Sequence, residues 1–223
     1  MAADGPSCAV IGAGAWGTTL ATLLSKAAPV TLMARDEAHA ATLRADGENR
    51  HYLPGVPLDE RISVTADPAA LTAATELVVF AVPSRAMRST AASVAPALPG
   101  SAVLVSVAKG IEAGSLLRMT EVIASEVPGA AGRVAALSGP NLALEISRGL
   151  PAAAVVGAAH DEVSRRAVEI LGGRTFRLYR NQDIVGVELA GALKNIVAIV
   201  AGAVEELGAG DNAKAAITTR GLA

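Results

Sequence analysis

The chain has 223 residues, enough for one large domain or for one domain and part of another. Just over half are hydrophobic, mostly Ala and Val with few aromatics, which suits a helix-covered parallel sheet with a true core. A net charge of −2 without any basic run argues against nucleic acid as a partner, and Asp4 and Pro6 stand where a signal peptide needs a basic patch and a long apolar stretch.

In chain order, Cys8–Ile11 reads as a short apolar strand and Ala15–Ser25 as a helix. The lone Cys8 cannot form an internal disulfide and reads as a small core residue. Between strand and helix lie Gly12, Gly14 and Gly17, at the spacing of a dinucleotide-binding turn. Gly12 permits the tight turn, Gly14 lets the backbone approach a pyrophosphate, and Gly17 lets helix and strand pack closely. The helix N-terminus offers free N–H groups to the anion. A second strand over 30–34 follows at the right distance and ends in Arg35-Asp36. An arginine there accommodates a 2′-phosphate, so Arg35 favours NADPH, with Asp36 as N-cap of a helix over 36–45. A one-residue shift would put Asp36 on the ribose, which keeps NAD open, and a merely solvated Arg35 is the bland alternative.

A polar loop over 49–55 leads to strand Ile62–Thr65 and a helix from Asp67. A buried strand over 76–82 stops at Pro83, and a helix follows Ser84. Residues 102–107 form another buried strand that ends in Ala108-Lys109-Gly110. A helix over 116–125, strand 133–137, helix 141–147, strand 152–156, helix 162–171 and edge strand 176–179 complete the alternation. This is the rhythm of an α/β, Rossmann-like, doubly wound and mainly parallel sheet. Near Asn181 helix takes over, which divides the chain into a dinucleotide-binding domain over 1–180 and the start of an all-helical domain over 181–223.

That last segment is apolar enough to raise the question of a membrane span, but Glu188, Lys194, Asn195, Glu205 and Glu206 argue against one. The expectation is a soluble, cytoplasmic protein. Lys194 is the unusual residue. Its helical neighbours Val187, Ala190, Gly191, Ala198 and Ala201 are small, leaving room for a ligand. A desolvated lysine there exchanges a proton near neutral pH; the alternative is a snorkelling side chain. Lys109 falls at a strand's carboxyl end, where open α/β sheets bind ligands, unless it is simply solvated. Ser138-Gly139-Pro140-Asn141 follows another strand at that edge, with Asn141 expected to cap the next helix. His39, His51 and His160 form no cluster with acids or cysteines, so no metal is expected, and a lysine must serve as acid/base in any enzyme.

The blocks 12–21, Asn49 with 52–55, 108–111, 138–145, 185–195 and 208–223 resemble, in order, the bacterial-type NAD(P)-dependent sn-glycerol-3-phosphate dehydrogenases. The resemblance implies reversible reduction of dihydroxyacetone phosphate for glycerophospholipid synthesis. It implies Lys194 as the acid/base at the C2 oxygen, with Asn195 beside it, and Lys109 touching both substrate and cofactor. Gly139 and Asn141 match substrate contacts, and Ala15, Trp16, Arg35 and Ala143 match dinucleotide contacts. Family members continue for roughly a hundred residues, a usual further domain, with an aspartate near the lysine and a Ser/Thr-Arg-Asn segment for the phosphate. The resemblance therefore implies a C-terminally truncated chain, able to bind dinucleotide but impaired in turnover. Its apolar face near 196–204 would invite association, a homodimer included. The alternatives are a β-hydroxyacid or 6-phosphogluconate-type dehydrogenase, or a non-catalytic dinucleotide-binding fragment.

Overall fold

The computed structural model describes residues 7–222. Eight strands form one sheet: β1 (Cys8–Ile11), β2 (Val30–Met33), β3 (Ile62–Thr65), β4 (Leu77–Phe80), β5 (Val103–Ser106), β6 (Val134–Ser138), β7 (Ala152–Gly157) and β8 (Phe176–Asn181). Their order is β3-β2-β1-β4-β5-β6-β7-β8. The first six are mutually parallel. β7 runs antiparallel to β6, and β8 runs parallel to β7, so the sheet is mainly parallel, as expected.

The central strands are apolar on both sides because both faces are covered. Along β4, Leu77 and Val79 enter one core while Val78 and Phe80 enter the other, the two-residue alternation of a pleated strand. Helices α1 (Ala15–Ser25), α2 (Glu37–Asp46), α3 (Met87–Val94), α4 (Met119–Glu126), α5 (Ala143–Ser147) and α6 (Asp161–Leu171) surround the sheet. After β3, at one edge, the chain returns to the far side of β1 as β4. The crevice above β1 and β4 is therefore the switch point where such sheets bind ligands.

Several boundaries move for local reasons. The turn after Asp67 is a 3₁₀ helix (Pro68–Ala73), with the Asp67 carboxylate accepting from Ala69 N–H. The helix expected from residue 116 starts at Met119, because Leu116 takes a left-handed φ of 60° and Ile111 bridges to Arg118 in a small hairpin. Asn141 is not a cap: α5 begins after Leu142 and receives no side-chain cap.

Residues 184–206 form the long helix α7 (Ile184–Glu206), and α8 (Asp211–Leu222) folds back on it. α7 is long and apolar enough to cross a membrane by length and composition. Its first two turns nevertheless dock on the sheet, where Val187, Glu188 and Gly191 are buried. Beyond them Leu193, Ile196 and Ile199 stay exposed.

The loop after α2 is anchored by Asn49, whose amide is buried. Its Nδ2 donates to the Ala13 carbonyl at 3.0 Å and to Thr18 Oγ1 at 2.7 Å, while its Oδ1 accepts from Tyr52 N–H at 3.3 Å. One side chain thus joins the loop to the glycine turn and to α1. Asn49→Ala is expected to lower the free energy of unfolding by about 2–4 kcal/mol, because a buried carbonyl and hydroxyl lose their partner. Urea unfolding followed by circular dichroism measures it, and a loss indistinguishable from zero would show the loop to be held otherwise.

Candidate active site

The glycine turn explains its own residues. Gly12 takes a φ of +107°, and a β-carbon there would stand 2.7 Å from the Ala81 carbonyl oxygen. At Gly17 a β-carbon would be 1.8 Å from the Gly12 oxygen, so no side chain lets α1 start there. Gly14 differs: a β-carbon would meet no protein atom within 4 Å. Nothing in the protein crowds position 14, so the backbone there stands open to a ligand. Gly14 is the N-cap of α1, so the free N–H groups of the first turn and the positive helix end meet this spot.

A cleft of about 730 Å³ opens here. It is lined by Gly12, Gly14, Ala15, Trp16, Arg35 and, at the end of β5, Lys109. Trp16 also packs edge-on against Phe176, with ring centroids 6.0 Å apart. Gly17 and Ala143, both expected at the dinucleotide, are not among the residues that line the cleft. Thr19 Oγ1 donates to the Ala15 carbonyl at 3.0 Å and to the Ala143 carbonyl at 3.2 Å, tying α5 to α1.

At the far end Arg35 and Asp36 divide their tasks. Asp36 accepts from His39 N–H at 2.8 Å as N-cap of α2, and Arg35 Nε donates to the same carboxylate at 3.0 Å. The backbone bond and then the guanidinium hold the Asp36 carboxyl below its usual range. Arg35 extends into solvent over a neighbouring recess of about 450 Å³, lined also by His39, His51 and Tyr52. His39 and His51 meet the Tyr52 ring edge-on at 5.8 and 4.4 Å. The sequence reads Asn49, His51 and Tyr52 as a polar loop, with Asn49 and 52–55 also in a family-like block, but the buried role of the Asn49 amide has no periodic signature.

The second cluster lies where β6 meets α7. A β-carbon at Gly139 would come within 2.9 Å of the Ala153 oxygen, and one at Gly191 within 2.4 Å of Ser138 Oγ. These glycines let β7 and α7 crowd the end of β6. The Gly139 carbonyl accepts from Asn141 N–H at 3.0 Å and from Lys194 Nζ at 3.4 Å. Both polar atoms of the Asn141 side chain are buried without a protein partner, a costly state that a bound polar group would relieve. Asn195, next to Lys194, is exposed.

Lys194 is exposed too, because α7 leaves the sheet after Gly191. The desolvation expected of Lys194 falls on Lys109 instead. Lys109 is itself exposed as a whole residue, yet its ammonium has a lowered pKa, first from burial and then from the positive charge of Lys194. Lys109, three residues beyond β5, also comes up against α7: a β-carbon at Gly191, one turn before Lys194, would stand 4.0 Å from Lys109 Cγ.

The chain matches two descriptions: "NAD-dependent glycerol-3-phosphate dehydrogenase N-terminus" over residues 7–164, and the C-terminus of the same family over residues 183–223. It is 48% identical to the glycerol-3-phosphate dehydrogenase [NAD(P)+] of Moorella thermoacetica, over 97% of this chain and 64% of that protein. To its namesake from Corynebacterium glutamicum strain R it is 45% identical, over 97% of this chain and 66% of the relative. The crystal structure of glycerol-3-phosphate dehydrogenase from Coxiella burnetii superposes with a TM-score of 0.86 at 36% identity, covering 98% of this chain and 66% of that one. The chain therefore spans about 65% of the length of the curated relatives it matches.

Lys194→Ala removes one of the two causes that depress Lys109. The Lys109 titration is expected to move upward without reaching the ordinary lysine value, since burial remains. Heteronuclear NMR of the lysine side chains measures this. A midpoint that stays put would show that the two charges do not interact.

Proposed function

Because the chain belongs to the NAD-dependent glycerol-3-phosphate dehydrogenase family, we propose that it serves the reversible reduction of dihydroxyacetone phosphate to sn-glycerol 3-phosphate with NAD(P)H. The observation that carries this reading is that Lys109, which lines the cleft running from the glycine turn, packs beside Gly191 of α7, one turn before Lys194. The vacant space at Gly14 and the first turn of α1 suit a pyrophosphate, with Ala15, Trp16 and Arg35 along the same wall. When bound, the nicotinamide supplies the hydride.

The chain's own residues do the rest. Lys194, as an ammonium, donates the proton that the reduced C2 oxygen needs, and in the reverse direction its amine takes that proton back. Lys109 contributes fixed positive charge against the developing alkoxide, strengthened by its partial burial. Gly139 and Asn141 form the substrate side, and the unpartnered amide of Asn141 is ready to bond a hydroxyl or carbonyl. This reading assigns 1–180 to the dinucleotide and 181–223 to the substrate side of the cleft. NADPH is the favoured cofactor because Asp36 is engaged at the α2 N-terminus, while Arg35, paired with it through Nε, remains exposed where a 2′-phosphate would lie. The single, buried and unpaired Cys8 agrees with a cytoplasmic location.

The assay is NADPH and NADH consumption with dihydroxyacetone phosphate, run on this chain and on the chain continued by the C-terminal third of a relative. Lys194→Ala is expected to lower kcat by about 10²–10⁴-fold, the usual worth of a general acid, with dinucleotide affinity unchanged. Equal rates with and without the lysine would refute its role. Arg35→Ala is expected to weaken NADPH by about tenfold or more, the worth of one charge-assisted contact, and to spare NADH. An equal loss for both cofactors would remove Arg35 from the 2′-phosphate.

A further inference from the structure

Glu188 is a buried carboxylate that the chemistry above does not use. Its side chain is 6% exposed, on the docked part of α7. Its Oε1 accepts from Thr120 N–H at 2.9 Å, and its Oε2 accepts from Thr120 Oγ1 at 2.6 Å and from Arg118 Nη1 at 2.7 Å. Thr120 is the second residue of α4 and Arg118 its N-cap. A carboxylate from α7 therefore caps α4 across 68 residues of sequence, meeting both the positive end of that helix and a guanidinium. Arg118 is held in turn by Glu121, whose carboxylate accepts from Arg118 N–H at 2.9 Å and pairs with Nη2 at 2.8 Å.

Two consequences follow from this placement. Among the described residues, the side-chain hydrogen bonds from α7 to the sheet half are those of Glu188 and the 3.4 Å bond of Lys194. Close packing elsewhere, such as Val187 on Gly157 and Gly191 on Ser138, carries no side-chain hydrogen bond. Six residues, or about 9 Å of rigid helix, separate the anchor from the amine. The other end of the clamp reaches Lys109: Ile111, two residues beyond it, bridges to Arg118, and Glu112 N–H bonds the Leu117 carbonyl at 2.9 Å.

The geometry points to Glu188 as a positioning residue that, through Arg118 and Thr120, holds the Lys194 amine at its working distance from Lys109. The catalytic half of this statement rests on the proposed dehydrogenase reading; the distance half does not.

The test is made on the whole chain with Glu188→Gln, which keeps the shape and loses the charge. The Lys109 titration, followed by NMR, is the ruler. Displacement of Lys194 raises the Lys109 midpoint toward that of Lys194→Ala, whereas simple loss of a distant negative charge would lower it. The expected result is that rise, and in the active protein a fall in kcat of about 10–100-fold, as a misplaced catalytic group gives, with the KM for dinucleotide unchanged. A folded Glu188→Gln chain whose Lys109 midpoint is unmoved or lowered overturns the proposal. Should that variant not fold, the double variant Arg118→Met, Glu188→Leu replaces the pair with apolar groups, a change that buried ion pairs often tolerate. A wild-type Lys109 midpoint in it overturns the proposal equally. Absence of turnover in the chain continued by the C-terminal third of a relative would count against the dehydrogenase reading while leaving the NMR comparison to decide the positioning role.

Discussion

Everything at the site depends on how closely α7 approaches the end of β6. The approach is possible because three glycines have no side chain where the elements meet: Gly191 faces Ser138, Gly157 faces Val187, and Gly139 faces β7. Dispersion falls off steeply with distance, so such bare contacts pack well but do not set direction. The direction comes from a buried charge. Glu188 has three donors, and a carboxylate taken out of water is stable only where such a set is waiting for it. Packing brings the helix near, and the carboxylate registers it.

The same docking explains the electrostatics. The positive charge of Lys194 disfavours charging of Lys109, and burial acts in the same direction. Like charge at the end of a cleft favours an anionic guest, as a phosphate-bearing substrate would be. The buried and unpartnered amide of Asn141 adds a neutral, directional contact beside that charge.

At the opposite end the governing factor is competition for one carboxylate. Asp36 could serve a ribose hydroxyl or a helix end but not both at full strength, and the α2 N-terminus has it. The neighbouring arginine is left exposed over a recess edged by His39, His51 and Tyr52, surfaces that suit stacking. Asn49 secures the loop carrying this edge to the glycine turn, so the two ends of the cleft are mechanically one piece.

Local chemistry made the first βαβ unit legible: the strand Cys8–Ile11 and the helix Ala15–Ser25 have the bounds expected of them. A glycine turn and two apolar runs are short-range signals, and the parallel alternation follows from them. The antiparallel turn of β7, the 3₁₀ segment after Asp67 and the hairpin at Leu116 were not legible, because propensity does not report which edge a strand joins or where φ turns positive. Nor was the exposure of Lys194. Sequence placed Lys194 on an apolar helix and so suggested burial, but burial is decided by which turns of that helix meet the sheet, and those end at Gly191. Residue types and spacing by themselves determined the fold class, the glycine turn and the candidate lysines. Which amine is desolvated, which acid caps which helix, and what joins Glu188 to Arg118 were decided only by the tertiary structure, since each depends on groups far apart in the chain.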